Sequence, residues 1–190
     1  MCGIDPDTMQ NYEHRKAKVE ARIQQLGAIF AVGIYGYAVM SNHLHVVLSV
    51  EASVAANWSN EEVIERWLQL YPARTPEQMD QKRAGLLGNP DTIAQCRNRL
   101  MDLSWFMRGL DEYVARQANA EDGKTGRFWQ GRFRCQALVD ERALAAAMAY
   151  VDLNPIRAGI AGKLEDSEHT SVKLRLDALH KHPELAEKPL

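Results

Sequence analysis

Long hydrophobic runs, a disulfide-rich cysteine count and an excess of charge of one sign are all missing from this 190-residue chain. No apolar run approaches the ~20 residues that a membrane helix needs. The opening residues carry no signal-peptide pattern. The three cysteines, Cys2, Cys96 and Cys135, are scattered and odd in number. They build neither a disulfide framework nor a CxxC metal pair, which points to a reducing, cytoplasmic setting. Net charge is -2, from 23 basic and 25 acidic side chains. That balance excludes a uniformly basic nucleic-acid coat and leaves room for a local basic patch. No internal repeat is visible. What is present, 46% apolar and 25% charged residues, is the balance of one soluble globular domain long enough to bury a core.

Periodicity orders the chain. Residues 7–26 read as a helix: Asp7 and Gln10 suit a capping box, Tyr12, Val19, Ile23 and Leu26 form an apolar stripe, and Gly27 sits where a helix stops. The period then changes to two. Phe30, Val32, Tyr35, Tyr37 and Val39 predict a strand, residues 40–42 a turn, and residues 43–50 a second strand paired with the first. Ser59 and Glu62 cap a short helix carrying Val63, Ile64, Trp67 and Leu68. Pro72, Pro76 and Pro90 mark residues 72–90 as a loop-rich insertion. Apolar residues from Ile93 to Val114 recur at steps of three and four, as in one long helix. Residues 128–139 read as extended. Asp140 caps a last helix over residues 141–153, which ends at Asn154 because Pro155 comes next. From Glu165 the chain is polar and reads as a tail with about one turn of helix. This order predicts an α+β fold with a mainly antiparallel sheet. One domain is expected over residues 1–164, with an insertion at 52–120 and a tail at 165–190.

Three constellations could carry chemistry. In His43-Leu44-His45, two imidazoles leave a strand on one face, spaced to grip one cation; the same pair also suits a plain strand surface or core. Tyr150 and Asn154 lie one helical turn apart, beside Ala143, Ala146 and Ala147, which leave room for a substrate strand. Taken alone, the pair reads first as a partly buried tyrosine and an asparagine that ends a helix. In residues 126–134, Arg127, Arg132 and Arg134 alternate with Phe128, Trp129 and Phe133. Such a strip can fork onto phosphates and stack bases, or simply be a solvated strand face. Residues 124–134 hold four basic side chains and no acid. Arg157 suits either a phosphate contact or an ordinary surface. Asp152, two residues from Tyr150, should face away from it.

The string Tyr37-Ala38-Val39-Met40-Ser41-Asn42-His43-Leu44-His45-Val46-Val47-Leu48 resembles the HUH signature of the single-tyrosine transposases, and more closely the bacterial REP-associated tyrosine transposase group. Gly126-Arg127-Phe128-Trp129-Gln130-Gly131-Arg132-Phe133 and Ala149-Tyr150-Val151-Asp152-Leu153-Asn154-Pro155-Ile156-Arg157-Ala158-Gly159 match the same group, in the same order. The resemblance spans about residues 10–162. It implies a ferredoxin-like sheet with the HUH strand central and a helix holding a nucleophilic Tyr150 against it. It further implies a divalent cation, Mg²⁺ or Mn²⁺, on His43, His45 and Asn154, and DNA contacts from Arg127, Trp129, Arg132, Arg134 and Arg157. The expected substrate is single-stranded or hairpin DNA, the expected assembly a monomer or homodimer in the bacterial cytoplasm with no membrane partner. Family members place a strand before the first helix; this chain opens at Met1-Cys2-Gly3-Ile4-Asp5, which resembles the segment just after that strand. Either the true start lies upstream, or this is a shortened copy whose sheet lacks its first strand.

Three functions compete. The first is a transposase that cuts and rejoins DNA through a 5′-phosphotyrosine link. The second is a truncated or domesticated relative that holds hairpin nucleic acid without cutting. The third is a small metallohydrolase, for which a further carboxylate or histidine would have to join His43 and His45, the available histidines being His14, His169, His180 and His182.

Overall fold

The period-two stretch folds as a hairpin, β1 (Val32–Val39) and then β2 (Leu44–Val50), closed by the Met40 N–H donating to the His43 carbonyl at 2.9 Å. This computed structural model describes residues 1–182; residues 183–190 of the expected tail lie outside them. Among the described residues the sheet has these two antiparallel strands, so the fold is α+β but the sheet is smaller than expected. The helices are α1 (Arg15–Ile29), α2 (Ala52–Asn57), α3 (Asn60–Leu70), α4 (Pro76–Leu87), α5 (Pro90–Leu100), α6 (Leu103–Glu121), α7 (Glu141–Arg157) and α8 (Ser171–Lys181), with a single 3₁₀ turn at Leu164–Asp166. None is long and apolar enough to cross a membrane.

Two compact units divide the chain. The first takes in Met1–Glu20, Ile34–Leu48 and the chain from Arg134 onward; the second takes in Ala21–Gly33 and Ser49–Phe133. The second unit thus includes all of the expected insertion at 52–120 and extends past both of its ends.

In the first unit the period of two assigns faces. Ala38, Met40 and Val47 are buried against Val151 of α7, with Leu144, Ala147 and Met148 packed around them. Tyr37 points the other way, and its hydroxyl donates to Glu20 of α1 at 2.7 Å. The free edge of β1 is capped rather than paired with a full strand. The Val39 N–H donates to the His169 carbonyl at 3.1 Å. The Tyr37 N–H donates to Ser171 Oγ at 2.9 Å, and that hydroxyl donates back to the Tyr37 carbonyl at 3.3 Å. Arg175 donates to the Tyr35 carbonyl at 3.3 Å. One antiparallel bridge, Ala38 to Thr170, completes the edge. Buried backbone groups need partners, and here a polar segment supplies them.

That segment corrects the expected tail. Thr170 caps α8 by accepting from the Lys173 N–H, and three turns of helix replace the single turn expected. Three further expectations fall. Residues 128–139 form no strand: they carry no ladder partner. Helix α1 begins at Arg15, not near Asp7, because Asp5 accepts from the Asp7 and Thr8 N–H groups in a turn and Met9 takes a left-handed φ of 59°. Helix α7 runs through Asn154 and Pro155 to Arg157. Proline there forfeits one hydrogen bond to the Val151 carbonyl; burial of Val151, Asn154 and Pro155 together offsets it.

The second unit is helical around Val63 and Ile64 of α3, Ile93, Cys96 and Leu100 of α5, and Phe106 and Leu110 of α6, all buried. The Phe30 and Phe106 rings meet edge to face at 5.5 Å. Here the prolines mislead. Pro76 and Pro90 do not break structure; each occupies the first turn of a helix behind a capping Thr75 or Asn89. The expected long helix is two helices: Asp102 accepts from the Trp105 N–H and starts α6 afresh. The Ser59 cap on α3 is as expected, its side chain accepting from the Glu62 N–H. The cysteines are unpaired; Cys2 and Cys96 are buried, and burial pushes both thiols up.

Candidate functional site

The hairpin turn and α7 bring four side chains of the first unit together. His43 sits one residue before β2 and His45 is its second residue. Their rings meet edge to face, with centroids 4.9 Å apart. Both leave the face that Val47 uses to reach α7, because residues two apart on a strand share a face. On α7, spacing of four aligns Tyr150 with Asn154. The Tyr150 ring lies edge to face with His45 at 5.5 Å. The Asn154 carboxamide nitrogen is 3.3 Å from His45 Nε2. Asn154 is 8% exposed, whereas Tyr150 is 46% exposed. A buried carboxamide therefore holds the inner side of the site, and the phenol faces solvent.

Asp140 sets the start of α7, its side chain accepting from the Ala143 N–H at 2.7 Å. This cap, expected from sequence, fixes the helical phase that turns Tyr150 and Asn154 toward the histidines.

Burial, and secondly the neighbouring His43, disfavour the protonated form of His45 and push it below the ordinary histidine range. Nδ1 of His43 is 2.7 Å from the Asn42 carboxamide oxygen. An oxygen acceptor at Nδ1 places the proton there and leaves Nε2 with its lone pair free. In the sequence Asn42 reads as a turn residue only; its adjacency to an HxH pair is the signal that could have found it.

The donor set fits a hard-to-borderline divalent cation: two imidazoles and one carboxamide, whose oxygen would be the ligating atom. Among the described residues, no three His, Cys, Asp or Glu side chains come together in a way that could hold a metal ion. His169 instead faces Glu20 at 2.8 Å. The convergence that the metallohydrolase reading required is therefore not found among the described residues.

The remaining candidates separate. Arg157, two turns along α7 from Tyr150, places its guanidinium carbon 5.4 Å from the Tyr150 ring centroid. Asp152 turns away from Tyr150, as expected, and meets Arg175. Arg134 belongs to the first unit and is exposed. Arg127, Trp129 and Arg132 belong to the second. Arg127 is engaged with the Trp129 and Gln130 carbonyls at 2.8 and 2.7 Å, so its fork already closes its own turn. The Trp129 indole N–H donates to the Asp111 carbonyl at 2.9 Å, and Phe128 packs edge to face on its ring. Arg132 is exposed.

Comparison with protein families, curated proteins and solved structures finds no match for this chain.

Proposed function

We propose that the chain is a single-tyrosine HUH transposase of the REP-associated kind, which cuts and rejoins single-stranded or hairpin DNA. The observation that carries this reading is the meeting of His43, His45, Tyr150 and Asn154, residues more than a hundred positions apart, at one place on the hairpin and α7. In this reading β1, β2, α1 and α7 are the core of a ferredoxin-like domain, and His43, His45 and Asn154 hold Mg²⁺ or Mn²⁺. The bound cation supplies positive charge to the non-bridging oxygens of the scissile phosphate.

The protein's own groups do the rest. Tyr150 Oη attacks phosphorus, the 3′-oxygen leaves, and the chain keeps a 5′-phosphotyrosine link. The phenol gives up its proton and the leaving 3′-oxygen gains one. The new ester conserves the broken bond's energy, so rejoining is the same step reversed. Exposure of Tyr150 lets an extended strand reach it; burial of Asn154 keeps the inner wall rigid. Asn42 orients the His43 imidazole through Nδ1. Arg157 and Arg134 supply phosphate contacts in the phenol's own unit; Arg132 and the Trp129 ring give the second unit DNA contacts of its own, on a turn that Arg127 closes.

The test is incubation of the purified chain with a labelled hairpin oligonucleotide and Mn²⁺. A covalent DNA adduct is expected from the wild type, and none from Tyr150→Phe. An adduct from Tyr150→Phe, or none from the wild type, overturns the nuclease reading. A second reading, a relative that holds hairpin DNA without cutting it, is favoured by the two-stranded sheet. It requires hairpin binding that falls steeply with salt and no nicking in Mn²⁺.

A further inference from the structure

We infer that Arg175 is a positioning residue for the Tyr150 site, clamping the helix that carries Tyr150 and Asn154 to the strand beside the histidines. Its guanidinium donates to Asp152 Oδ2 at 2.5 Å and to the Tyr35 carbonyl at 3.3 Å. Asp152 lies on α7 between Tyr150 and Asn154; Tyr35 lies on the free edge of β1. One rigid, planar fork thus joins α7 and β1 from outside the site. The Asp152 side chain is 18% exposed, and its Oδ1 is buried with no hydrogen-bond partner among the described residues. Its pairing therefore rests on Arg175.

The base of the clamp is fixed too. Helix α8 is anchored by Ser171 on Tyr37 and by the Thr170 bridge to Ala38, so Arg175 reaches out from a docked helix rather than a loose end. Removing the guanidinium leaves a mostly buried carboxylate without its partner and unfastens α7 from the edge of β1. A rotation or lift of α7 that solvates the carboxylate carries Tyr150 and Asn154 off His45. The site needs no contact with Arg175 to feel its loss.

This inference rests on the reading of Tyr150 as the reactive group, but its first test does not. The ring of Tyr150 stands edge to face with His45 at 5.5 Å, so the His45 ring protons sense it as a ring-current shift in NMR spectra taken without DNA or metal. Tyr150→Leu defines the fully displaced value. In Arg175→Ala the His45 resonances should move most of the way to that value. In the double variant Arg175→Ala with Asp152→Asn, which has no orphaned charge, they should return part of the way. Arg66→Ala, which removes carbonyl bonds in the second unit, is the control for general destabilisation and should leave His45 unmoved. Should Arg175→Ala fail to fold, Arg175→Gln takes its place. Wild-type His45 resonances in the folded Arg175 variant overturn the clamp, whatever the chain does to DNA. The second arm measures adduct formation: an ångström-scale displacement should slow it about a hundredfold in Arg175→Ala. A displaced His45 with an undiminished adduct rate also overturns the inference.

Discussion

The two units of this chain hold themselves together by different means. In the second, helices α3, α5 and α6 bury apolar stripes against one another, and arginines act mainly at helix ends: Arg97 on the Ala55 and Trp58 carbonyls, Arg66 on those of Ala28 and Ile29. In the first, the apolar cluster around Ala38, Met40, Val47 and Val151 is small. Polar side chains make the long-range joins there: Ser171 to Tyr37, Arg175 to Asp152 and Tyr35, Glu20 to Tyr37 and His169, Asn154 to His45. Apolar packing tolerates small shifts; a hydrogen bond specifies a distance and a direction. The unit that carries His43, His45, Tyr150 and Asn154 is the one joined by these directional bonds.

Four perturbations put this contrast at risk. The largest effect should come from Phe106→Ala in the second unit, a fully buried ring, at about 4 kcal/mol of stability in denaturant titration. The His45 resonances should stay where they are. Next, Ser171→Ala should cost about 2 kcal/mol, because it removes two hydrogen bonds at a buried edge, one from the Tyr37 N–H and one to the Tyr37 carbonyl. Hydrogen exchange should show the loss at β1 and α8 and not at α3 or α5. The opposite distribution would mean that the first unit is also held by its apolar core.

A third perturbation is pH. His45 is held below its ordinary value in the fold, so as pH falls the unfolded chain takes up this proton first. Stability from this group is present above the unfolded value near 6.5 and is lost as pH falls below it. His45→Gln should flatten that part of the profile, read as melting temperature against pH. The proposed divalent-cation binding should weaken over the same window, since a protonated imidazole is no ligand.

The smallest effect belongs to Asp111 on α6, which burial pushes up to about 6. A carboxyl raised above its unfolded value binds its proton more tightly in the fold, so stability falls as pH rises from about 4 to about 6. After allowance for solvent screening, Asp111→Asn should add about 1 kcal/mol at neutral pH and remove that slope.

Local rules read some elements well and others badly, for definite reasons. Ser59 with Glu62, and Asp140 ahead of α7, are legible because a cap is a contact within four residues. Pro76 and Pro90 read as breakers because the same residue that ends a helix inside also begins one at its first turn, and only the preceding Thr75 and Asn89 tell the two apart. The break at Asp102 is hidden by an apolar period that continues across it. Helix α8 escapes sequence reading because it docks through hydroxyls and a guanidinium rather than through an apolar stripe. The strip at 128–139 has strand-like alternation, but a strand exists only where a partner offers a ladder, and none does among the described residues.

For the site, the chain's own order determined which side chains share a face: His43 with His45 through the two-residue repeat of extended backbone, Tyr150 with Asn154 through the helical turn. It also supplied the cap that phases α7. That the two pairs meet was decided by tertiary structure alone. Loop closure over a hundred residues leaves no trace in local periodicity, and the distance between α7 and the hairpin is set by packing on Val47 and Val151. The neutrality of His45 belongs to the same level, because burial is a property of neighbours brought in from elsewhere in the chain.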